Sequence, residues 1–341
     1  TLERFNPDDP LELLFDYVRI RFPTVDDQKV VEEVLRLKLS YFLHEDYGFY
    51  SYSEHYHLGD IFVLCSHELE KGVLVELKGR GCRQFESYLL AQERSWYEFF
   101  MDCLVAGGVM KRLDLAINDK TGILSIPELT EKCRQEECVS VFRSFKSYRS
   151  GELVRRDEKE CMGNTLYIGS LQIEVYFCVY EKDFEQYKKN NIPIEDADVK
   201  NRFEIRLKNE RAYYAVRDLL TYDNPEQTAF KIINRYIRFV DKDNSKPRSD
   251  WELNEHWAWF IGHNREQLKL TTKPEPYSFQ RTLGWLSHQV APTLKMAIKL
   301  DELNQTQVIQ DILDHAKLTE RHKQILKQLS AKEQDVITTK T

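Results

Sequence analysis

Tyrosine, carboxylate, lysine and arginine recur together on three short stretches of the chain, IEVYFCVYEK (173–182), KRLDLAIND (111–119) and RFEIRLK (202–208). Each alternates apolar and polar residues, the pattern of a strand with one buried face. In the first, Val175, Phe177 and Val179 share one face, and Glu174, Tyr176, Cys178, Tyr180 and Lys182 share the other. In the second, Leu113, Leu115 and Ile117 oppose Arg112, Asp114, Ala116 and Asn118. In the third, Phe203, Ile205 and Leu207 oppose Arg202, Glu204, Arg206 and Lys208. If the three share a sheet, its polar face gathers Asp114, Glu204, Tyr180, Lys182 and several arginines. Carboxylate oxygens suit Mg²⁺ or Mn²⁺, which keep open positions for substrate. A tyrosine beside such a metal can attack a phosphodiester, provided that metal or Lys182 steadies a phenolate whose ordinary pKa is about 10. The basic residues would hold the phosphate backbone. Pattern alone also fits an ordinary antiparallel sheet whose solvated face carries paired charges. Small Ala116 and Cys178 leave room above the sheet and weigh towards a site. Tyr176, along the strand from Tyr180 on the same face, is the rival candidate.

Other constellations are weaker. His55-Tyr56-His57 would put two imidazoles on one face of a strand, but within a tyrosine-rich stretch that reads as a surface hairpin. Cys133-x4-Cys138 lacks a second ligand pair, and Gly79-x-Gly81 lacks the rest of a phosphate loop. The 7 cysteines are odd in number and lack CxxC spacing, so they read as reduced thiols of a cytoplasmic protein. No apolar run reaches the length of a membrane-spanning helix, and no membrane insertion is expected. The net charge of −7 argues against a general nucleic-acid coat, yet the acidic surplus lies in residues 1–60 and leaves a basic surface open to the middle of the chain.

The elements that must position the three stretches read as α+β: antiparallel-rich sheet with flanking helices, then a helical C-terminal region. Residues 10–22 and 26–43 read as helical or mixed, with Asp26 or Asp27 as a cap. Strands are expected at 49–57, 60–65, 73–77, 111–118 and 201–208, a hairpin from Thr165 through Gly169-Ser170, and helices at 84–103, 127–136, 210–220 and 225–240. Two segments, about 45–103 and 165–220, share the order hairpin, strand with a central glutamate, helix. They suggest an internal duplication in which Glu76 of VLVEL joins the polar face. The charged run DKDNSKPRSD marks a boundary near 245, dividing a domain of residues 1–245 from a mainly helical one of 246–341. Trp251, Trp257, Trp259 and Trp285 beyond it could be core or a contact surface.

The runs LVELKGRGCRQFESYL, RLDLAIND, NTLYIGSLQIEVYFCVYEKDFEQY and RFEIRLKNERA together resemble the Rep_trans, or replication initiation factor, family, and within it the MobT-type relaxases of Gram-positive conjugative transposons and integrative conjugative elements. The resemblance covers nearly all of the chain. It implies an enzyme that nicks one strand at an origin of transfer or replication, joins a tyrosine to the 5′ phosphate and uses Mg²⁺ or Mn²⁺. The family's hydrophobic-Tyr-x-Lys motif falls on Val179-Tyr180-Glu181-Lys182 and selects Tyr180 as nucleophile, with Lys182 and Arg206 assisting. The metal carboxylates fall on Asp114 and Glu204, with Asn118 and Glu174 as further oxygens. Arg112, Arg202, Lys208, Arg211 and Tyr176 are the implied DNA contacts. Implied partners are origin DNA as duplex and single strand, a host helicase, a conjugative coupling protein and an accessory DNA-binding protein. Some members carry an upstream helix-turn-helix domain. Residues 1–60 show none, and the start at Thr1 without Met leaves room for one. A departure lies at Ile173, where relatives carry a serine ahead of the glutamate. It raises the alternative of an origin-binding protein without catalysis, beside that of a plasmid-type replication initiator.

Overall fold

The computed structural model describes residues 10–151, 163–190, 192–262, 268 and 270–338. Its strands are β1 (Leu11–Phe22), β2 (Leu43–Glu45), β3 (Glu54–Leu58), β4 (Ile61–Cys65), β5 (Val73–Lys78), β6 (Val109–Asp119), β7 (Cys138–Ser140), β8 (Phe145–Arg149), β9 (Asn164–Ile168), β10 (Val175–Glu181), β11 (Asn201–Lys208) and β12 (Ile237–Phe239). β7 pairs with β12, and the other ten form one antiparallel sheet in the order β2-β3-β4-β5-β1-β6-β11-β10-β9-β8. The order repeats about a seam between β1 and β6. In each half a long first strand lies at the seam, and a hairpin leads to a strand that returns beside it (β5 or β11). A helix follows, Arg80–Ala91 or Asn209–Tyr222.

The alternation seen in the three stretches holds across the sheet. Phe15, Val18, Ile20, Val75, Leu113, Leu115, Phe177, Phe203 and Ile205 are buried on one face, in a core shared with Phe85, Phe99, Ala212 and Val216 of the covering helices. The two layers thus bury one face and leave the other for charged side chains.

Local readings differ in instructive ways. Residues 10–22 are not helical. They form β1, the first half's seam strand. Its core-facing positions run 11, 13, 15 and then 18, 20, 22, because Asp16 is a bulge between the pairs Phe15–Leu115 and Tyr17–Asp114. One extra residue changes the phase of a period-2 pattern and makes it look irregular. In 26–43, Asp26 does cap a helix, accepting from Lys29 N at 2.8 Å, but only one turn is α-helical (Asp27–Lys29) before the backbone widens over Val30–Val34. The helix read over 84–103 is two, Arg80–Ala91 and Trp96–Val105. The second opens on a Ser95/Glu98 capping box.

Beyond the exposed linker 241–250, the chain packs back into the core. Trp257, 1% exposed, packs its ring 4.8 Å from Phe239 and 5.4 Å from Phe260, and Phe260 lies 5.6 Å from Phe203. Trp259 is buried and Trp251 half-buried. Trp257→Ala is expected to cost about 3–5 kcal/mol, the scale of an aromatic removed from a packed core. Urea denaturation checks it. A midpoint unchanged from wild type would show that this region is not part of the folding unit. The helices farther on, Ala291–Asn304 and Val308–His315, bury no residue. Glu320–Ser330 returns to the first half, where Gln328 donates to Tyr41 O and His57 O at 2.9 and 3.0 Å. Among the described residues no helix is long and apolar enough to cross a membrane.

Candidate active site

The open face of the sheet is laid out in rows by strand register. Tyr180 faces Arg202, which faces Asn118, which faces Glu12. Cys178, Glu204 and Ala116 form the next row, and Tyr176, Arg206, Asp114 and Tyr17 the one after. Above the first two rows and part of the third lies a cavity of about 870 Å³, lined by Asp114, Asn118, Tyr180, Lys182, Arg202, Glu204, Arg206 and Arg112 among others. Buried Cys178, a small residue, lies on its floor.

Tyr180 is half-buried and donates its hydroxyl to Glu204 Oε1 at 2.8 Å. Lys182 is not on the strand: β10 ends at Glu181 and Lys182 opens the helix Lys182–Asn190. The turn still brings its ammonium 3.5 Å from the Tyr180 hydroxyl, and the ammonium also binds Glu185. Burial, then the charge of Glu204, raises the Tyr180 phenol well above its ordinary range, and Arg202 opposes them. Burial, then Arg202, depresses Lys182, with Glu185 acting in the other direction. Ionisation of the Tyr180 hydroxyl is therefore favoured only by added positive charge or by a base that accepts its proton.

Asp114 and Glu204 are 2% and 3% exposed and face this one cavity. Arg112 grips Asp114 with two hydrogen bonds of 2.9 and 2.6 Å. Arg206 spans the pair, 2.6 Å from Glu204 Oε2 and 3.9 Å from Asp114 Oδ2. Burial raises Asp114 to about 6 against the pull of Arg112. Two buried carboxylates sharing one cationic group are a donor set that fits Mg²⁺ or Mn²⁺, since such ions need only one or two carboxylates beside water and phosphate oxygens. Binding there requires Arg206 to release. No third protein ligand is at hand: among the described residues no group of three His, Cys, Asp or Glu side chains could hold a metal. Asn118 lines the cavity, but its amide donates to Glu12 at 3.1 Å and its carbonyl accepts from Arg202 at 2.7 Å. Glu174 precedes β10 and does not line the cavity.

Of the remaining candidates, Arg202 is fixed by Asn118 and by Asp16 at 2.8 Å. Tyr176 is on the polar face but only 5% exposed, with Arg206 and Lys208 centred 5.7 and 5.1 Å from its ring. Neither Tyr176 nor Lys208 lines the cavity. Arg211 is exposed on the helix Asn209–Tyr222, which covers the other face. Ile173, 43% exposed in the turn before β10, touches neither core nor cavity. Glu76 is buried on the polar face and accepts from Tyr17 at 2.5 Å, but it stands opposite Arg19, whereas Glu204 stands opposite Ala116. Glu76 does not line the cavity. His55 and His57 lie on β3, six strands away from β10. His55 Nδ1 bonds Tyr47 O at 2.6 Å, and His57 stacks on Phe62. Tyr176→Phe is expected to leave DNA cleavage within about threefold of wild type, since the hydroxyl lies outside the cavity. Loss of cleavage in a gel assay, with the fold intact, would transfer the nucleophile to Tyr176.

Several lining residues carried no sequence signal. Asp16 reaches Arg202 only because of the β1 bulge. Arg83, from the first half's helix, donates to Phe15 O at 2.5 Å and to Glu86. Lys273 arrives from a segment that runs beside β1, where Thr271 N donates to Leu13 O, and it binds Glu12 Oε1 at 2.7 Å. These contacts are set by tertiary approach and have no local periodicity.

Residues 108–313 match the model of the family described as replication initiation factor (Rep_trans), and residues 12–102 match that of the rolling circle replication initiation protein N-terminal domain. The two matches divide the chain close to the β1–β6 seam. Over 318 residues, 93% of this chain and 89% of the relative, it is 41% identical to the Bacillus subtilis (strain 168) protein named "Putative DNA relaxase NicK". A solved structure of the rolling circle replication initiator protein from Geobacillus stearothermophilus is similar with a TM-score of 0.65 and 26% identity, covering 77% of this chain and 99% of that one. The chain thus belongs to the replication initiation factor family.

Proposed function

We propose that the protein is a relaxase that nicks one DNA strand at an origin through Tyr180 and remains joined to the 5′ phosphate. Family membership supports an initiator that nicks DNA. The observation that carries the finer reading is the Tyr180 hydroxyl, 2.8 Å from Glu204 at the wall of an arginine-lined cavity. As the phenol oxygen bonds to phosphorus and the 3′ oxygen departs, taking a proton from solvent to become the 3′ hydroxyl, Glu204 is the nearest acceptor for the phenol's proton. Arg202 and Lys182 oppose the negative charge on the phenol oxygen. Arg112 and Arg206, once free of their carboxylates, are placed to hold the phosphate's non-bridging oxygens. A divalent cation held by Asp114 and Glu204 would supply the charge that polarises the scissile phosphate. Religation runs the same exchange backwards, with the 3′ hydroxyl as nucleophile. The resemblance to relaxases of conjugative elements favours transfer as the process served, with a helicase and a coupling protein downstream.

The test is a supercoiled plasmid carrying the DNA that flanks the protein's own gene, incubated with protein and Mn²⁺ or Mg²⁺ and stopped with SDS. The expected result is a nicked circle with protein on its 5′ end, absent in EDTA. Specific binding of that DNA without any nick would favour an origin-binding protein and overturn the reading.

A further inference from the structure

The polar face does not end at Tyr180. β9 and the edge strand β8 carry it further, and the cavity wall continues there through Thr165 and Tyr167. Tyr180 pairs with Thr165, and Thr165 with Tyr148. Cys178 pairs with Tyr167, and Tyr167 with Lys146. Tyr148 therefore stands in the row of Tyr180, two strands or about 10 Å outward, and Lys146 in the row of Glu204, three strands or about 14 Å outward. The opposite parity of β8 faces the core side: Phe145 packs against the core, and Ser147 accepts from Arg134 of the helix Ile126–Arg134. Tyr148 is 56% exposed and meets Tyr167 edge-to-face at 5.9 Å. Tyr167 lies in turn 5.9 Å from the guanidinium carbon of Arg206. Half-buried Tyr167 and exposed Tyr148, on adjacent rows beside Arg206 and Lys146, have the make-up of a single-strand binding track, on which bases stack and cations meet the backbone. Duplex DNA offers no free base faces to such rings.

We propose that Tyr148 and Tyr167 are a stacking platform for the unpaired bases next to the scissile phosphate, with Lys146 holding their backbone. This inference rests on the nicking function proposed above and adds the site that grips the strand. Its loss should be seen in binding to single strands and not to duplex, because no cleavage is needed.

The experiment uses the full chain in EDTA and two probes, fluorescein-labelled dT12 and the same strand annealed to dA12, read by anisotropy. Tyr148→Ala is expected to weaken dT12 binding about tenfold, within the range of one lost base stack, with the duplex changed less than twofold. Tyr148→Trp is expected to bind dT12 at least as well as wild type. Because the side chain is exposed, thermal melts of both variants should match wild type, which separates a binding loss from misfolding. Equal binding of dT12 by wild type and Tyr148→Ala, or an equal loss on both probes, would overturn the platform. If the plasmid assay yields no nick while Tyr148→Ala still loses dT12 selectively, the nicking reading fails and the platform stands. If nicking is normal and dT12 is indifferent to Tyr148, the platform alone fails.

Discussion

Tyr180→Phe is expected to abolish the SDS-stable protein–DNA adduct, a loss on the order of 10³-fold or more, as when the nucleophile is removed from other covalent catalysts. The substitution deletes one oxygen and keeps the ring, so strand pairing with Arg202 and Thr165 survives. It leaves one unpaired acceptor on Glu204, whose other oxygen still binds Arg206. The fold should therefore hold, and binding of an uncleavable origin strand should remain within a few fold. The adduct is scored on a denaturing gel with 5′-labelled and 3′-labelled strands in parallel. Persistence of the adduct in Tyr180→Phe would assign the bond to another residue.

Glu204→Gln is expected to slow cleavage about 10²- to 10³-fold, the scale of one group lost from a preorganised electrostatic site. Two effects oppose each other here, and the sign decides between roles. The Glu204 charge raises the Tyr180 phenol, so its removal alone makes Tyr180 easier to ionise. If Glu204 were merely an unfavourable neighbour, the variant would cleave faster. If it accepts the proton and helps hold the cation, those losses outweigh the easier ionisation and cleavage slows. Single-turnover rates at saturating Mn²⁺, paired with Mn²⁺ binding followed by electron paramagnetic resonance, separate the two contributions. Slower cleavage with unchanged Mn²⁺ binding would leave Glu204 as base alone. An unchanged or raised rate would remove it from the chemistry.

How much of this was legible beforehand depends on whether a contact is made along a strand or across one. Asp114, Glu204 and Tyr180 could be put on one face because each sits in an unbroken period-2 run, and the apolar partners Leu115, Ile205 and Phe177 confirm the parity by their burial. The role of β1 was not legible, because the Asp16 bulge breaks that period in the strand that makes the seam. Lys182 was given the right neighbour on the wrong element, since a strand and a helix diverge only after their first shared residue. Tyr176 shows the limit of parity. It shares a face with Tyr180 yet lies under Arg206 and Lys208, and the reach of long side chains is invisible in a binary pattern. Arg83 and Lys273 come from segments whose approach depends on the whole fold. The helices from Ala291 to His315 were expected from the mainly helical character of the C-terminal sequence but bury no residue, so that reading located them without supplying a partner.

The seam also bears on how the chain is made. β1 emerges in synthesis ahead of β6, but its ladder with β6 joins Leu11–Arg21 to Val109–Asp119, about a hundred residues later. Until β6 arrives, β1 keeps an open edge, the kind of surface on which nascent chains mispair. Its carboxylate Asp16 meanwhile waits for Arg202, which is translated later still. A polypeptide interrupted between the halves carries Asp16 and Tyr17 but neither Asp114, Tyr180 nor Glu204. In the nicking reaction proposed above this ordering acts as a safety catch: Asp114, Tyr180 and Glu204 meet only after both halves are complete.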